Sequence, residues 1–356
     1  MLFMSARSEP GAYTEKRQAP WPVIAWLLIC CALVFAMVVL GGVTRLTGSG
    51  LSMVDWNPVK GIIPPLSQGD WERLFEQYRQ FPEFRYVNQD MTLAGFKVIF
   101  LFEYAHRVLG RLIGLVFFVP LVWFWWRRRL SGAVKPHLVA LFVLGGLQGL
   151  LGWFMVMSGL VDVPRVSQYR LTAHLCLAVA IYGYMLFVAL ELMRGDLASF
   201  MRRARYPSVF PPVLLIVVFV IIASGGFVAG THAGHIYNTF PDMNGQLIPD
   251  GLFAENPRWL NVFENPVTIQ FDHRMLAYLL VVLVTANRVI LARAGLQSLL
   301  PAANLLLVLV LLQASIGIAT LLHKVPPPLG AMHQAGALMV FSAAIWLFQR
   351  SRHVGA

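Results

Sequence analysis

Long apolar runs separated by polar segments are the most regular feature of this sequence. Each run has about 20 residues or more, which is the length an α-helix needs to cross roughly 30 Å of hydrocarbon. The pattern predicts eight membrane-spanning helices, at about 21–42, 98–126, 134–157, 168–193, 209–229, 267–292, 298–322 and 328–349. We therefore predict an all-α membrane protein.

Composition and the placement of charge agree with this fold class and argue against a nucleic-acid-binding protein. Of the 356 residues, 58% are hydrophobic and 13% are charged, whereas a soluble domain has about 25% charged residues. The net charge of +11 comes from Lys and Arg gathered in the loops on one side, while most acids lie in the opposite loops. This bias predicts that both termini are cytoplasmic. We expect a multi-pass protein of a bacterial plasma membrane, because the N-terminal segment resembles neither a cleaved signal peptide nor a transit peptide.

Polar landmarks repeat along the chain and divide it into two copies of a four-helix unit. The matched landmarks are Gly41-Gly42 and Gly225-Gly226, His106-Arg107 and His273-Arg274, Gln148 and Gln313, and His174 and His333. Four spans per unit is an even number, so both halves have the same orientation. We therefore predict two four-helix bundles related by a pseudo-two-fold axis along the membrane normal.

This repeat sets the predicted domain organisation. The segments are a cytoplasmic tail (1–20), an N-terminal half (21–193) with a long outer loop (43–96), a cytoplasmic linker (194–208), and a C-terminal half (209–350) with an outer loop (230–266).

A short amphipathic helix is predicted inside the first outer loop. Asp70 can cap a helix in which Trp71, Leu74, Phe75 and Tyr78 share one face. Such a helix either lies on the membrane surface or forms a lid over the site of the N-terminal half.

Four histidines within the predicted spans are the strongest candidates for function. His106, His174, His273 and His333 are each predicted about two turns inside the outer end of a span. Ionisable groups at membrane depth are costly and usually functional. Two imidazoles facing each other across a bundle core can fill both axial positions of a haem iron. We predict two such metal sites, His106 with His174 and His273 with His333; a proton or substrate pathway is the alternative, and zinc is disfavoured because no cysteine or carboxylate set accompanies the histidines.

The two halves differ beside the first histidine of each pair. Glu103 precedes His106 by three residues, whereas the matched residue of the second half, Gln270, is neutral. A carboxylate in a low-dielectric site is costly, so we predict that Glu103 takes part in chemistry, with a salt bridge to a neighbouring arginine as a compatible alternative.

Three arginines near the histidines are predicted to bind haem propionates. They are Arg107, Arg111 and Arg274, and their alternative is to reach lipid phosphates. His232 and His235, in the second outer loop, have a spacing that can seat a metal, although the loop setting weighs against it. His137 and His353 are predicted to be solvated.

Several of these motifs together resemble one known family. The most specific segments are Gly41–Ser52, Glu103–Arg107, Tyr237–Pro241, Asp272–Arg274 and His333-Gln334. Over roughly residues 20–350 the chain resembles the haem A synthases, membrane enzymes that convert haem O to haem A for terminal oxidases. The resemblance implies eight spans in two halves with a bis-histidine haem site in each. It places the substrate, haem O, and the product, haem A, at His106 and His174, and a haem b that relays electrons at His273 and His333.

The resemblance also implies the reaction and the partners. A ring methyl of haem O is oxidised by two successive hydroxylations, and loss of water gives the formyl group of haem A. Glu103 is the implied catalytic carboxylate, and the sequence leaves open whether it acts as a base or as an electrostatic stabiliser. Haem O synthase is the implied supplier of substrate, membrane lipid surrounds the spans, and the family can form homo-oligomers; the residues do not identify the electron partner. The cysteine pair that Gram-positive members carry in the first outer loop is absent here.

Two other classes of function remain open at this point. One is a two-haem b-type membrane cytochrome that passes electrons without modifying haem. The other is a transporter built on a parallel repeat, which predicts polar residues near the midplane rather than towards the outer side.

Overall fold

The computed structural model describes residues 21–54, 60–161, 163–195 and 209–354. These residues form helices and connecting loops, with one isolated β-bridge and no strand among them. The predicted tail (1–20) and most of the predicted linker (194–208) lie outside the described residues. The α-helices are α1 (Trp21–Leu46), α2 (Gln68–Arg79), α3 (Pro82–Tyr86), α4 (Leu93–Trp126), α5 (Lys135–Met157), α6 (Gln168–Met193), α7 (Phe210–Thr231), α8 (Asn261–Glu264), α9 (Pro266–Arg293), α10 (Leu300–Leu322) and α11 (Pro327–Ser351).

Eight of these helices are long and apolar enough to cross a membrane. They are α1, α4, α5, α6, α7, α9, α10 and α11, and each coincides with one predicted span. The prediction of an all-α fold with eight spans is confirmed, and the chain is a multi-pass membrane protein by the length and composition of its helices. We call the side on which α1 ends and α4 begins the outer side, following the predicted orientation.

Helix contacts follow the order of the sequence repeat. In the first half, α1 packs against α4 and α6, and α5 packs against α6. In the second half, α7 packs against α9 and α11, and α10 packs against α11. The two halves meet where α6 contacts α7, where α1 contacts α11, and where α6 contacts α11.

Glycines allow close approach at two matched places between the halves. A Cβ on Gly226 of α7 would lie 2.9 Å from Thr172 Oγ1 of α6. At the matched position of α1, a Cβ on Gly42 would overlap the side chain of Gln334, which donates a hydrogen bond of 2.9 Å to the Val38 carbonyl. Larger residues at either glycine would push the halves apart.

The first outer loop contains the predicted amphipathic helix, α2, but its cap differs from the prediction. The N-cap is Ser67, whose Oγ accepts from the backbone N–H of Asp70, and the Asp70 carboxylate accepts in turn from the Ser67 backbone N–H. Asp70 is therefore the third helical residue of a capping box and not the cap. Both positions suit a helix N-terminus, so the sequence pattern alone could not separate them.

The apolar face of α2 packs on the outer end of α4. Trp71 lies with its ring centre 5.1 Å from that of Phe100, and Tyr78, fully buried, lies 5.2 Å from Phe96. This packing extends α4 outward, so the helix begins at Leu93, behind a Thr92 cap, instead of near residue 98. His106 is consequently the fourteenth residue of α4, counting from 93, and not about two turns inside it as predicted.

Two histidines at the inner ends have partners that the sequence did not predict. His137 Nδ1 lies 2.6 Å from Tyr184 Oη. His353 Nε2 lies 3.0 Å from the carboxylate of Glu191, which is fully buried on α6. The prediction of a solvated imidazole is wrong for His353, because the buried Glu191 carboxylate requires a partner and the residue that supplies it lies just after α11. His137 is half-buried and keeps part of its surface exposed.

Candidate functional site

Each of the four predicted metal-ligating histidines packs against a glycine of a neighbouring helix. The glycine positions match between the halves, with Gly41 on α1 and Gly225 on α7 facing the first histidine of each pair, and Gly152 on α5 and Gly317 on α10 facing the second. A Cβ would lie 3.0 Å from His106 Cε1 at Gly41, 2.7 Å from His174 Cε1 at Gly152, 3.4 Å from His273 Cε1 at Gly225 and 2.7 Å from His333 Cε1 at Gly317. The same ring carbon is approached in all four cases, so the glycines position the imidazoles in a repeated way.

The histidine pair of the C-terminal half faces across its helices with its Nδ1 atoms engaged. The ring centres of His273 and His333 are 6.5 Å apart, at 76°. His273 Nδ1 lies 3.2 Å from Ser224 Oγ, and His333 Nδ1 lies 3.0 Å from Gln313 Nε2, which also donates to the His333 carbonyl. These contacts orient the two rings.

The spacing of this pair fits a metal ion held between two imidazoles. A first-row metal lies about 2 Å from each imidazole nitrogen, and each nitrogen lies just over 1 Å from its ring centre, so the ring centres should be about 6–7 Å apart. The observed 6.5 Å agrees with this requirement. The residues present therefore fit a bis-histidine haem.

The histidine pair of the N-terminal half has fewer hydrogen-bond partners. The Nδ1 atoms of His106 and His174 are buried and, within the described part of the chain, have none. Gln148, which matches Gln313, lies with its Nε2 3.4 Å from His174 Nε2. The two imidazoles are thus held mainly by packing against their glycines.

Glu103 is a buried carboxylate that accepts three hydrogen bonds. Its Oε2 accepts from Ser52 Oγ at 2.7 Å and from the Met53 backbone N–H at 2.8 Å, and its Oε1 accepts from Arg107 Nη2 at 2.6 Å. The side chain is only 4% exposed. The salt bridge considered from the sequence is therefore present, with Arg107 as the partner.

The arginines that follow the first histidine of each pair hold the outer loops. Arg107 Nη2 donates to the Met53 carbonyl at 2.8 Å. Arg274 donates to the carbonyls of Tyr237, Thr239 and Asp242 at 2.9–3.1 Å. The sequence prediction assigned both arginines to haem propionates. The contacts that the structure shows for them are with carbonyl groups of the outer loops.

The other sequence-predicted positions on α4 and α9 follow the same register. Arg111 lies one turn beyond Arg107 on the same face of α4. Gln270, the neutral counterpart of Glu103, donates to the Tyr237 carbonyl at 3.0 Å. Both halves therefore use this position to bind the loop after their first helix, but only the first half places a charge there.

A second buried carboxylate lies in the outer loop, outside the spans. Glu83 on α3 is 8% exposed and accepts from Tyr78 Oη at 3.0 Å, while Asn88 donates to Tyr78 Oη at 2.8 Å. Burial, with a smaller contribution from the negative charge of Glu103, raises the pKa of Glu83 to about 7. No pattern in the sequence singles out this residue, because its burial arises from the packing of α2 and α3 on α4.

The two halves differ in how closely their second and third spans pack. α9 and α10 contact each other along their lengths, whereas α4 and α5 meet at few places, among them Phe118 and Phe142 towards the inner side. Gly145 shares a face of α5 with Gln148 and Gly152, yet it is exposed and a Cβ there would meet nothing within 4 Å. The matched residue of α10, Val310, is only 3% exposed. The N-terminal half therefore has an opening between α4 and α5 that the C-terminal half fills.

The histidines of the second outer loop do not form a metal site with a third ligand. His232 and His235 have ring centres 6.4 Å apart, but in the described part of the chain no group of three His, Cys, Asp or Glu side chains could hold a metal ion. His232 Nε2 instead lies 2.7 Å from Arg45 Nη2. Burial, then the nearby positive charges, lowers the pKa of His232 to about 4.

The sequence of this chain matches one family of known proteins. The COX15-CtaA model, described as a cytochrome oxidase assembly protein, matches residues 24–345. The chain is 49% identical to the Heme A synthase of Nitrosomonas eutropha, covering 98% of this chain and 99% of the relative. It is also 49% identical to the Heme A synthase of Nitrosospira multiformis, covering 98% of each. It is 46% identical to Heme A synthase COX15 of Bos taurus, covering 97% of this chain and 86% of the relative.

Proposed function

The chain belongs to the COX15-CtaA family, and from this membership we propose that it is a haem A synthase, an oxidoreductase of haem A biosynthesis. Its reaction oxidises a ring methyl of haem O to a formyl group by two successive hydroxylations and loss of water. One structural observation supports this assignment most directly. The chain has two matched histidine sites, and only one of them has a buried carboxylate beside it.

The domain arrangement we propose is two four-helix bundles, one for each half of the repeat. The support is that α1 and α7 make corresponding contacts inside their halves, and that Gly42 and Gly226 make corresponding contacts between them. The membrane orientation, with both termini in the cytoplasm of a bacterium, remains a prediction from the distribution of Lys and Arg.

His273 and His333 are proposed to hold a haem b in the C-terminal half. The support is their ring spacing of 6.5 Å and the engagement of both Nδ1 atoms. A haem bound there supplies one-electron chemistry, which can relay the electrons removed from the substrate. Gln313 and Ser224 keep the imidazole rings oriented for that ligation.

His106 and His174 are proposed to bind the substrate haem in the N-terminal half. A substrate must enter and leave, and the opening between α4 and α5 gives this half a lateral path to the bilayer that the other half lacks. The buried Nδ1 atoms without partners agree with imidazoles that are held less firmly than those of a resident cofactor.

Glu103 is proposed to act as a fixed negative charge beside the substrate. Its carboxylate accepts hydrogen bonds only, from Ser52, Met53 and Arg107, which is the pattern that an ionised side chain accepts. A preorganised charge that needs no rearrangement is well suited to stabilising positive charge that develops as the methyl group is oxidised. The Arg107 guanidinium and the loop residues position it.

The remaining assignments of ligands and partners are still predictions from the sequence. Propionate binding by Arg107, Arg111 and Arg274 remains a prediction; the contacts that the structure shows for Arg107 and Arg274 are with loop carbonyls. Haem O synthase, an electron partner and a homo-oligomer also remain predictions. A two-haem cytochrome without synthase activity has no support among the relatives, whose names state haem A synthesis.

Haem extraction and chromatography test this function. Wild-type protein from cells that make haem O should carry haem B together with haem O and haem A. In Glu103→Ala and Glu103→Gln, haem A should disappear while haem B stays at its wild-type level. Haem B alone at two per chain in wild type would contradict the synthase assignment, and haem A in both variants would contradict the role of Glu103.

A further inference from the structure

An arginine on α1, Arg45, is half-buried and contacts no carboxylate among the described residues. The charge of Glu83 acts on its guanidinium from beyond ion-pair distance. Its Nη2 donates to the Ala229 carbonyl at 3.1 Å and lies 2.7 Å from His232 Nε2. Its Nε is buried and has no hydrogen-bond partner in the described structure. Burying a cation in this way is costly unless an anion completes the site.

His232 has a left-handed backbone conformation, and the matched residue of the first half has the same one. It ends α7 with φ of 57°, a left-handed backbone that is costly for a residue with a side chain. The matched residue at the end of α1, 184 positions earlier (232 minus 48), is Gly48, with φ of 64°. Glycine is the usual residue at such a helix end. A histidine therefore stands here against the backbone preference, and its contact is with Arg45.

Further positive charge surrounds this contact. Arg165, exposed on the loop before α6, is near enough for its charge to act on His232 and help to lower the pKa of that imidazole. Because His232 Nε2 accepts from Arg45, its imidazole is neutral and orients the guanidinium without adding charge. Arg45 and Arg165 thus place two positive charges near His232, and in this cluster of three residues the buried Nε of Arg45 has no hydrogen-bond partner in the described structure.

The location of the cluster relates it to the substrate half. Arg45 lies four residues beyond Gly41, on the same face of α1 and one turn nearer the outer side. Gly41 is the residue against which His106 packs. The guanidinium therefore lies about one turn outward from the level of the N-terminal histidine pair, whereas Arg107 at that level is already bound to Glu103.

We propose that Arg45, oriented by His232 and assisted by Arg165, binds a propionate carboxylate of the substrate haem held in the N-terminal half. This inference rests on the proposed function, which makes that half the substrate site. Arg45 Nε donates to the carboxylate, and the outer position of the cluster fixes which edge of the porphyrin faces outward. The site selects for a free acid on the outward edge of the ring.

The test compares haem O with its dimethyl ester, in which both propionates are neutral. Each is titrated into purified protein that retains its resident haem b, and the dissociation constants are measured optically. Wild type should bind the free acid roughly 10- to 100-fold more tightly, the effect expected of one hydrogen bond between charged groups. In Arg45→Gln this preference should fall to about twofold or less, and affinity for the ester should be unchanged. The ratio of the two dissociation constants is compared between wild type and variant, so the different partition of the two ligands into detergent cancels.

Two further variants guard against an indirect effect. Arg258→Gln removes a positive charge from an exposed position of the other outer loop and should keep the wild-type preference. His232→Gly restores the residue favoured by the backbone, so it should fold well, and it should reduce the preference by several-fold because Arg45 loses its orienting contact.

The outcomes separate this inference from the function on which it rests. A full preference for the free acid in Arg45→Gln would overturn the propionate site, and a full preference in His232→Gly would overturn the role of His232. Conversion of haem O to haem A is measured in the same wild-type preparation. Absence of conversion would contradict the proposed function, whereas the ester comparison reads the carboxylate site whether or not conversion occurs.

Discussion

Replacing Gly317 with alanine should displace a haem ligand even though alanine favours the helix. A Cβ at this position would lie 2.7 Å from His333 Cε1 and 3.2 Å from Nδ1. Carbon atoms in contact normally lie about 3.5–4.0 Å apart, so the imidazole or α10 must move by roughly 1 Å. The ring spacing of 6.5 Å between His273 and His333 leaves little room for such a shift.

The size and sign of the effect follow from two opposing terms. Alanine in place of glycine stabilises a helix interior by about 0.5–1 kcal/mol, whereas overpacking of a well-filled site costs about 1–3 kcal/mol. We expect Gly317→Ala to fold with a stability within about 2 kcal/mol of wild type. It should bind haem b about 10- to 50-fold more weakly, at 1.4 kcal/mol per tenfold. The haem B content per chain and the optical spectrum of bis-histidine ligation are the measurements.

Gly225 supplies a matched control in the same half. It faces the partner ligand, His273, but a Cβ there would lie 3.4 Å from Cε1, an ordinary contact. Gly225→Ala should therefore retain haem B at the wild-type level. Equal haem B content in Gly317→Ala and Gly225→Ala would refute the reasoning. It would show that the distance from the added Cβ to the imidazole does not decide how well the histidine binds haem.

Two more predictions concern the opening in the first half and the buried acid of the outer loop. Gly145→Val, which copies Val310 of the second half, should lower haem O binding several-fold and leave haem b unchanged, while Gly146→Val, on another exposed face of α5, should do neither. Glu83, whose pKa is raised from 4.5 to about 7, stabilises the folded loop fully below pH 4.5, and this contribution is lost as the pH rises to about 7. Hydrogen exchange of residues 68–88 should speed up between pH 5 and pH 8 in wild type and change little in Glu83→Gln.

Each of these predictions has an outcome that would contradict it. Equal haem O binding in Gly145→Val and Gly146→Val would show that the opening is not the route or seat of the substrate. A pH dependence of exchange that persists in Glu83→Gln would assign it to another group. The expected change in stability for Glu83 is on the order of 3–4 kcal/mol, because its pKa rises from 4.5 to about 7 and each unit corresponds to about 1.4 kcal/mol.

The features that the sequence predicted well are those encoded locally or by repetition. Eight helices followed from apolar runs whose length alone matches the bilayer. The closeness of His273 and His333 followed from the repeat, because matched positions in matched helices face matched directions. The same pairing of His106 with His174 stays a prediction. The carboxylate of Glu103 was singled out by comparison with Gln270, a difference that needs no structure to see.

What the sequence missed depends on contacts between distant segments. Glycines were visible as landmarks, but their role against the histidine rings requires the packing of separate helices. The loop contacts of Arg107 and Arg274 involve carbonyl groups, which leave no signal in side-chain patterns. The early start of α4 has the same cause, since Leu93 is helical only because the outer loop folds back onto it.

Differences between the halves say more about function than either half does alone. The two halves share the positions of their glycines and histidines because both halves have the same helix packing. Where matched residues differ between the halves, the shared packing does not explain the difference. In the first half, each of these positions lowers the stability of the protein when nothing is bound. They are a buried acid, a half-buried cation and an unfilled opening. The matched positions of the second half carry residues with no such cost. The pairs are Glu103 and Gln270, Arg45 and Ala229, and Gly145 and Val310. Costs of this kind persist where a substrate compensates for them, so the three differences together identify the N-terminal half as the half that binds and modifies a ligand.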